Sequence, residues 1–166
     1  MVSPELIRRY PFFAGLDHDQ IELLARNAQE VSVEEGHRFF REGDELERFY
    51  LMIKGAADIV MEVPDRDKAS KDISGQLTGE MATNDVTVSS VGSGDVFGWS
   101  GLIPPHTASA GAIARTPSRV AEFDSHALND AFAEDRLLGF VLTQRAANVM
   151  RERLRDIRIE SLSQNI

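Results

Sequence analysis

The chain has no cysteine and only one tryptophan and two tyrosines, and its charge is not positive: 18 Lys and Arg stand against 27 Asp and Glu, a formal net charge of -9. Without cysteine there is no disulfide framework, thiol nucleophile, zinc–thiolate site or iron–sulfur cluster. The acidic balance opposes generic adsorption to nucleic acid, because phosphate backbones are held by clustered Lys and Arg. No apolar run approaches the roughly 18 residues a spanning helix needs, and Met1 to Tyr10 carries Pro4, Glu5 and paired arginines instead of an apolar signal core. The expectation is a cytoplasmic protein with neither a membrane nor nucleic acid as a direct partner. The four histidines, His18, His37, His106 and His126, share no metal-ligand spacing, so no metal and no cofactor is expected.

What is present fits one folded unit. At 166 residues, 42% hydrophobic and 27% charged, the chain suits a single domain with one good core, taken as residues 1–166. Ser3-Pro4 reads as an N-cap with a first-turn proline. Asp17 with Gln20 resembles a capping box ahead of Ile21, Leu24, Ala25 and Ala28, which share one side of a 3.6-residue repeat. Residues 1–30 are thus the N-terminal helices.

From Val31 the period changes to short β-rich runs: Val31 to Val33, His37 to Arg41, Phe49 to Ile53, Asp58 to Val63, Val86 to Val91, Val96-Phe97, Ser109 to Ala114 and Ser118 to Phe123. Glu35-Gly36, Glu42-Gly43-Asp44 and Lys54-Gly55 supply turns between them. About eight short strands at this spacing predict a β-sandwich, jelly roll or small barrel over 31–124. The stretch 64–85, mixed and without an apolar period, reads as a long exposed loop.

Ser125 reads as the cap of a helix that begins near His126, within the C-terminal helices 125–161. Farther on, Ala147, Met150, Leu154 and Ile157 repeat at spacings of three, four and three, the seam of a paired helix. The seam predicts a homodimer, the alternative being that the same stripe lies back on its own β-domain. Between Arg145 and Arg158 five arginines face only Glu152 and Asp156, a run read as a solvated helix face.

The order of elements, with its local wording, is similar to the cyclic-nucleotide-binding domain family, the sensor domain of catabolite-activator and FNR-like regulators. Phe13-Ala14-Gly15-Leu16 resembles that family's opening motif, and Arg41-Glu42-Gly43-Asp44 with Phe49 to Gly55 resembles its strand-turn-strand signature. Gly94-Asp95-Val96-Phe97-Gly98 resembles the start of its phosphate-binding cassette. The resemblance implies an eight-stranded jelly-roll-like β-roll, mainly β, with short N-terminal helices and a long C-terminal helix. It covers nearly the whole chain apart from 64–85.

In that family the cassette reads F-G-E, a short helix, then R-S-A or R-T-A nine residues after the glutamate. The glutamate holds the ribose 2′-hydroxyl and the arginine pairs with the cyclic phosphate. Here Phe97 and Gly98 match, but Trp99 stands for the glutamate and Ala108, followed by Ser109 and Ala110, stands for the arginine. The resemblance implies a ligand site made of Phe97, Gly98, Trp99, Ser100, Gly101, Leu102, Ala108, Ser109 and Ala110. A guanidinium meets phosphate with charge-assisted bonds worth roughly 1.5 to 3 kcal/mol each, and losing about 3 kcal/mol weakens binding on the order of a hundredfold.

Backbone N–H groups at Trp99 to Leu102 remain as donors to an anion. Trp99 is expected to fill the vacated pocket. His106 and Ser109 are expected to be an ordinary loop and edge residue, and Arg115 and Arg119 surface residues. No catalytic constellation stands out, and an enzyme is not expected. Two functions compete. One is a regulatory module that senses a small anionic or nucleotide-like ligand and signals to an unidentified output protein. The other is a ligand-free interaction scaffold, with a cyclic-nucleotide receptor using substituted contacts ranked behind both. Only a few residues follow Ile157, so no helix-turn-helix domain is expected.

Overall fold

The computed structural model describes residues 1–65 and 83–163. Most of the stretch read as a loop therefore lies outside the described residues, but its ends are strand. Pro64 closes one strand, and Thr83, Asn84 and Asp85 begin the next, paired with Pro64, Val63 and Glu62.

Eight strands form two four-stranded antiparallel sheets: β1 Ala28–Val33, β2 Arg38–Phe40, β3 Arg48–Lys54, β4 Ala57–Pro64, β5 Thr83–Val91, β6 Val96–Phe97, β7 Gly111–Ala114 and β8 Ser118–Asp124. One sheet runs β1-β8-β3-β6 and the other β2-β7-β4-β5. Helices α1 (Pro4–Arg8) and α2 (His18–Arg26) precede them, and α3 (Ser125–Glu134) and α4 (Arg136–Ser163) follow. This is the predicted roll. Ser109 and Ala110 fall before β7 and not within it.

The unbroken apolar run of β3 follows from its position. Phe49 and Leu51 pack toward the helices with Ile7, Phe13, Leu24, Phe123, Leu138 and Leu142. Tyr50 and Met52 point into the roll with Phe40, Phe97, Ala112 and Val120. Side chains alternate across a strand, so a strand buried on both faces needs no polar positions.

The capping box forms: Asp17 accepts from the Gln20 amide at 2.9 Å and Gln20 Oε1 accepts from the Asp17 amide at 3.1 Å. Ser3 is the N-cap of α1 and Pro4 lies in its first turn, as expected, but the Ser3 hydroxyl donates to Glu5 at 2.5 Å and makes no cap bond. One cap expectation is corrected. The cap of α3 is Asp124, which accepts from the Ala127 amide at 3.0 Å, while Ser125 is the first helical residue and is buried. A carboxylate in extended backbone accepts that amide as a serine would.

Helix α4 meets the core through Leu138, Leu142 and Ala146, and Val149 packs against its edge. The predicted seam faces elsewhere. Ala147 is exposed, Met150 half-buried, and Leu154 and Ile157 are 47% and 40% exposed. Another face of α4 covers the β-domain, which overturns the alternative that the stripe lies back on it.

Candidate functional site

Strand β6 pairs with β3, Tyr50 opposite Phe97, and delivers the chain to a 3₁₀ turn at Trp99–Leu102. Two glycines let this turn lie flat on β3. Gly98 has φ +71, and a Cβ there would sit 2.9 Å from the Tyr50 ring and 3.2 Å from the Arg48 carbonyl. A Cβ on Gly101 would collide with the Ser125 side chain. Only glycine meets both demands at Gly98 without strain.

The predicted site residues converge in part. Gly98, Trp99, Ser100, Ala108, Ser109 and Ala110 line one small cavity. Phe97 lies beneath it in the roll, and Leu102 is buried among the helix-side core residues. The Gly101 amide is spent on the Gly98 carbonyl at 3.0 Å, and the Gly101 carbonyl accepts from Asn129 at 3.0 Å. Of the backbone donors expected for an anion, this one is already used.

Ala108 is held in place by the backbone. Its amide donates to the Asp44 carbonyl and its carbonyl accepts from the Gly43 amide, both at 2.8 Å. The methyl is thereby buried beside Phe40 and Leu46, where the family motif has a guanidinium. Trp99 is half-buried and packs against the helix-side core while lining the cavity.

Phe40, which lines the cavity, belongs to an aromatic cluster inside the roll. Tyr50 stacks on Phe97 at 4.9 Å and 13°, Phe39 meets Phe97 edge-on at 5.0 Å, and Phe40 stacks on Tyr50 at 6.0 Å. Trp99 was expected to fill the pocket, but Phe40 and Leu46 contribute as much of the wall. The space left is about 30 Å³. That holds one or two waters, against roughly 300 Å³ for the smallest ordinary small-molecule sites.

Burial, and secondarily the Glu122 carboxylate, pushes the Tyr50 phenol up to about 12, with Arg48 opposing. An unfolded phenol ionises near pH 10, so this group favours folding fully below about pH 10, and its contribution falls as pH rises toward 12. Tyr50→Phe is therefore expected to keep neutral-pH stability and to flatten the loss above about pH 10. Urea midpoints on either side of that pH measure it, and an unchanged alkaline slope would contradict the assignment.

The other cations weighed for the pocket are used elsewhere. Arg115 binds Asp58 and Ser90, and Arg119 pairs with Glu30 at 2.8 Å. His106 Nδ1 donates to the Gly101 carbonyl at 3.0 Å, bracing the cassette turn from behind. It is half-buried, and not the solvated loop residue that the sequence predicts.

Sequence reasoning missed Arg153. It lies on α4 within the stretch read as a solvated basic face, yet it is half-buried and lines the cassette cavity. Its Nη2 donates to the Val96 carbonyl at 2.6 Å. Its spacing of four from Val149, which follows Leu138, Leu142 and Ala146 on the packed face, was the available signal. Among the described residues, no three His, Asp or Glu side chains group as a metal site, and no helix is long and apolar enough to cross a membrane.

Comparisons with known proteins agree with this geometry. The model of the cyclic nucleotide-binding domain matches residues 30–135. A "CRP-like cAMP-activated global transcriptional regulator" of Mycobacterium tuberculosis is 26% identical over 130 residues, which cover 78% of this chain and 50% of that protein. The chain thus spans about half the length of the curated relatives it matches. Among solved structures, a cyclic nucleotide-binding protein from Geobacter metallireducens is 28% identical with a TM-score of 0.74, covering 93% of this chain and 99% of that one. The regulatory subunit of a cAMP-independent protein kinase A from Trypanosoma brucei shares the fold, with a TM-score of 0.64 at 22% identity, covering 87% of this chain and 45% of that one.

Proposed function

This chain belongs to the cyclic nucleotide-binding domain family, and from that premise we propose that it is a regulatory module, residues 1–166, whose cassette does not hold cyclic AMP or cyclic GMP by the family's usual contacts. The observation that carries the reading is the cavity of about 30 Å³ bounded by Trp99 and Ala108. A cyclic phosphate there would meet a methyl group where the motif offers a guanidinium, and the charge-assisted bonds of that position are lost. The relatives are regulators and binding proteins, which supports a regulatory role over an enzymatic one. The same fold is found in a kinase subunit described as cAMP-independent.

Calorimetric titration tests the reading. Neither nucleotide is expected to saturate the domain at micromolar concentration, and one tight site for either would overturn it.

Helix α4, exposed along its outer face, offers such a module a surface for a partner. We take that partner to be a second copy, paired through Ala147, Met150, Leu154 and Ile157. Light scattering should give twice the chain mass, and Leu154→Asp with Ile157→Asp should give the single mass, because a charge in a helix seam is desolvated without a partner. A wild-type monomer at high micromolar concentration would refute the pairing.

A further inference from the structure

Arg153 divides two spaces. On one side is the cassette cavity, and on the other a groove of about 460 Å³ between α4 and the β5–β6 edge, lined among others by Ser89, Asp95, Asn148 and Glu152. Its guanidinium has five N–H donors, and its hydrogen bond here is to a neutral carbonyl, that of Val96. Among the described residues no carboxylate lies within ion-pair distance of it. Asp95, the charge that acts on it, accepts from the Gly92 amide at 2.8 Å. A half-buried cation facing a cavity, hydrogen-bonded to a neutral carbonyl and not to a carboxylate, is a group of the kind that binds oxyanions.

We infer that Arg153 is the cation of this cassette, holding a phosphate-type oxyanion at the rim formed by Trp99 and Ser109 and releasing Val96 when it does so. The family motif brings positive charge from the segment before β7, where Ala108 stands. Here it arrives from α4, which contributes Arg153 to the lining of the same cavity. The free volume of about 30 Å³ is too small for phosphate beside the side chain, so the anion enters as Arg153 turns from Val96 and widens the cavity toward the groove. Beyond Arg153 every described residue of α4 is exposed, so the Val96 bond ties that helix to the roll near the end of its packed face. Anion binding and release of the helix end thereby compete for one guanidinium, which links the cassette to α4. Burial lowers the arginine's proton affinity without bringing it near neutrality, so the group stays charged.

The inference rests on the proposed loss of the usual phosphate contact at Ala108, but its test is separate. Trp99 is the only tryptophan and lines the cavity, so its emission reports directly. Titration of the full chain with inorganic phosphate, against chloride at matched ionic strength, is expected to give a saturable change. Arg153→Met should raise the half-saturating concentration by about tenfold to a hundredfold, the scale of one or two charge-assisted bonds. The exposed neighbour Arg151→Met should leave it unchanged. Arg153→Lys keeps the charge but loses the fork, and provides an intermediate value if the methionine variant folds poorly. A wild-type chain silent to phosphate, or an Arg153→Lys curve identical to wild type, overturns the inference. Either result leaves the cyclic-nucleotide calorimetry to judge the proposed function.

Discussion

In the double variant Trp99→Glu with Ala108→Arg, cyclic AMP is expected to become a stabilising ligand, whereas the wild-type chain melts at the same temperature with or without it. Arginine at 108 would lie beside Phe40 and Leu46, so the ligand-free variant should melt below wild type, an unpaired buried charge costing about 3 to 5 kcal/mol. A nucleotide phosphate opposite that charge offsets the cost. At a hundredfold excess over Kd, binding adds about 2.7 kcal/mol, a rise of about 5 to 10 °C for a chain of this size. Thermal melts with and without nucleotide measure both effects. A double variant that folds yet ignores cyclic AMP would mean that the aromatic plug, and not the two replaced side chains, excludes the ligand.

Phe97→Ala is expected to be the most damaging single truncation in the roll. Phe97 is completely buried and meets Phe39, Phe40 and Tyr50 at ring distances of 5.0, 6.3 and 4.9 Å. Removing the ring takes away burial and stacking and leaves a void that three rings cannot all collapse into. The expected loss is about 3 to 5 kcal/mol, or about 10 °C and more in melting temperature. Phe140→Ala, with the ring 63% exposed on α4, should stay within about 0.5 kcal/mol of wild type. Urea unfolding followed by circular dichroism compares the two. A loss under about 1 kcal/mol for Phe97→Ala would show that the plug is loosely packed and that the small cavity does not bar a ligand.

Much of the fold was legible because its signals are local. Glycine turns such as Glu42-Gly43-Asp44 and the capping pair Asp17 and Gln20 act within a few residues, and the structure forms both. Phe97-Gly98 could be aligned with a motif by reading along the chain. The errors are also local in origin. Ser125 looked like a cap because Asp124 ended a β-rich run, and either side chain can accept an amide at that point. The predicted run Ser109 to Ala114 starts two residues ahead of β7 because Ser109 and Ala110 continue its small-residue composition but form a bend.

Arg153 was missed for a different reason. Five arginines in fourteen residues read as a solvated face, and charge counting does not show which of them a helix turns inward. Helical phase decides it, and the phase was carried by Leu138, Leu142 and Ala146, not by the seam residues that drew the eye.

The amino-acid sequence alone determined the roll, its order of elements and the loss of the two ligand-holding side chains, because turn chemistry, alternation and motif position are properties of neighbours along the chain. Only the tertiary structure decided how much room the cassette retains and which arginine reaches its lining. Those depend on Phe40, Leu46 and Arg153, which meet Ala108 across more than forty residues of chain, and packing between such distant segments leaves no periodic trace.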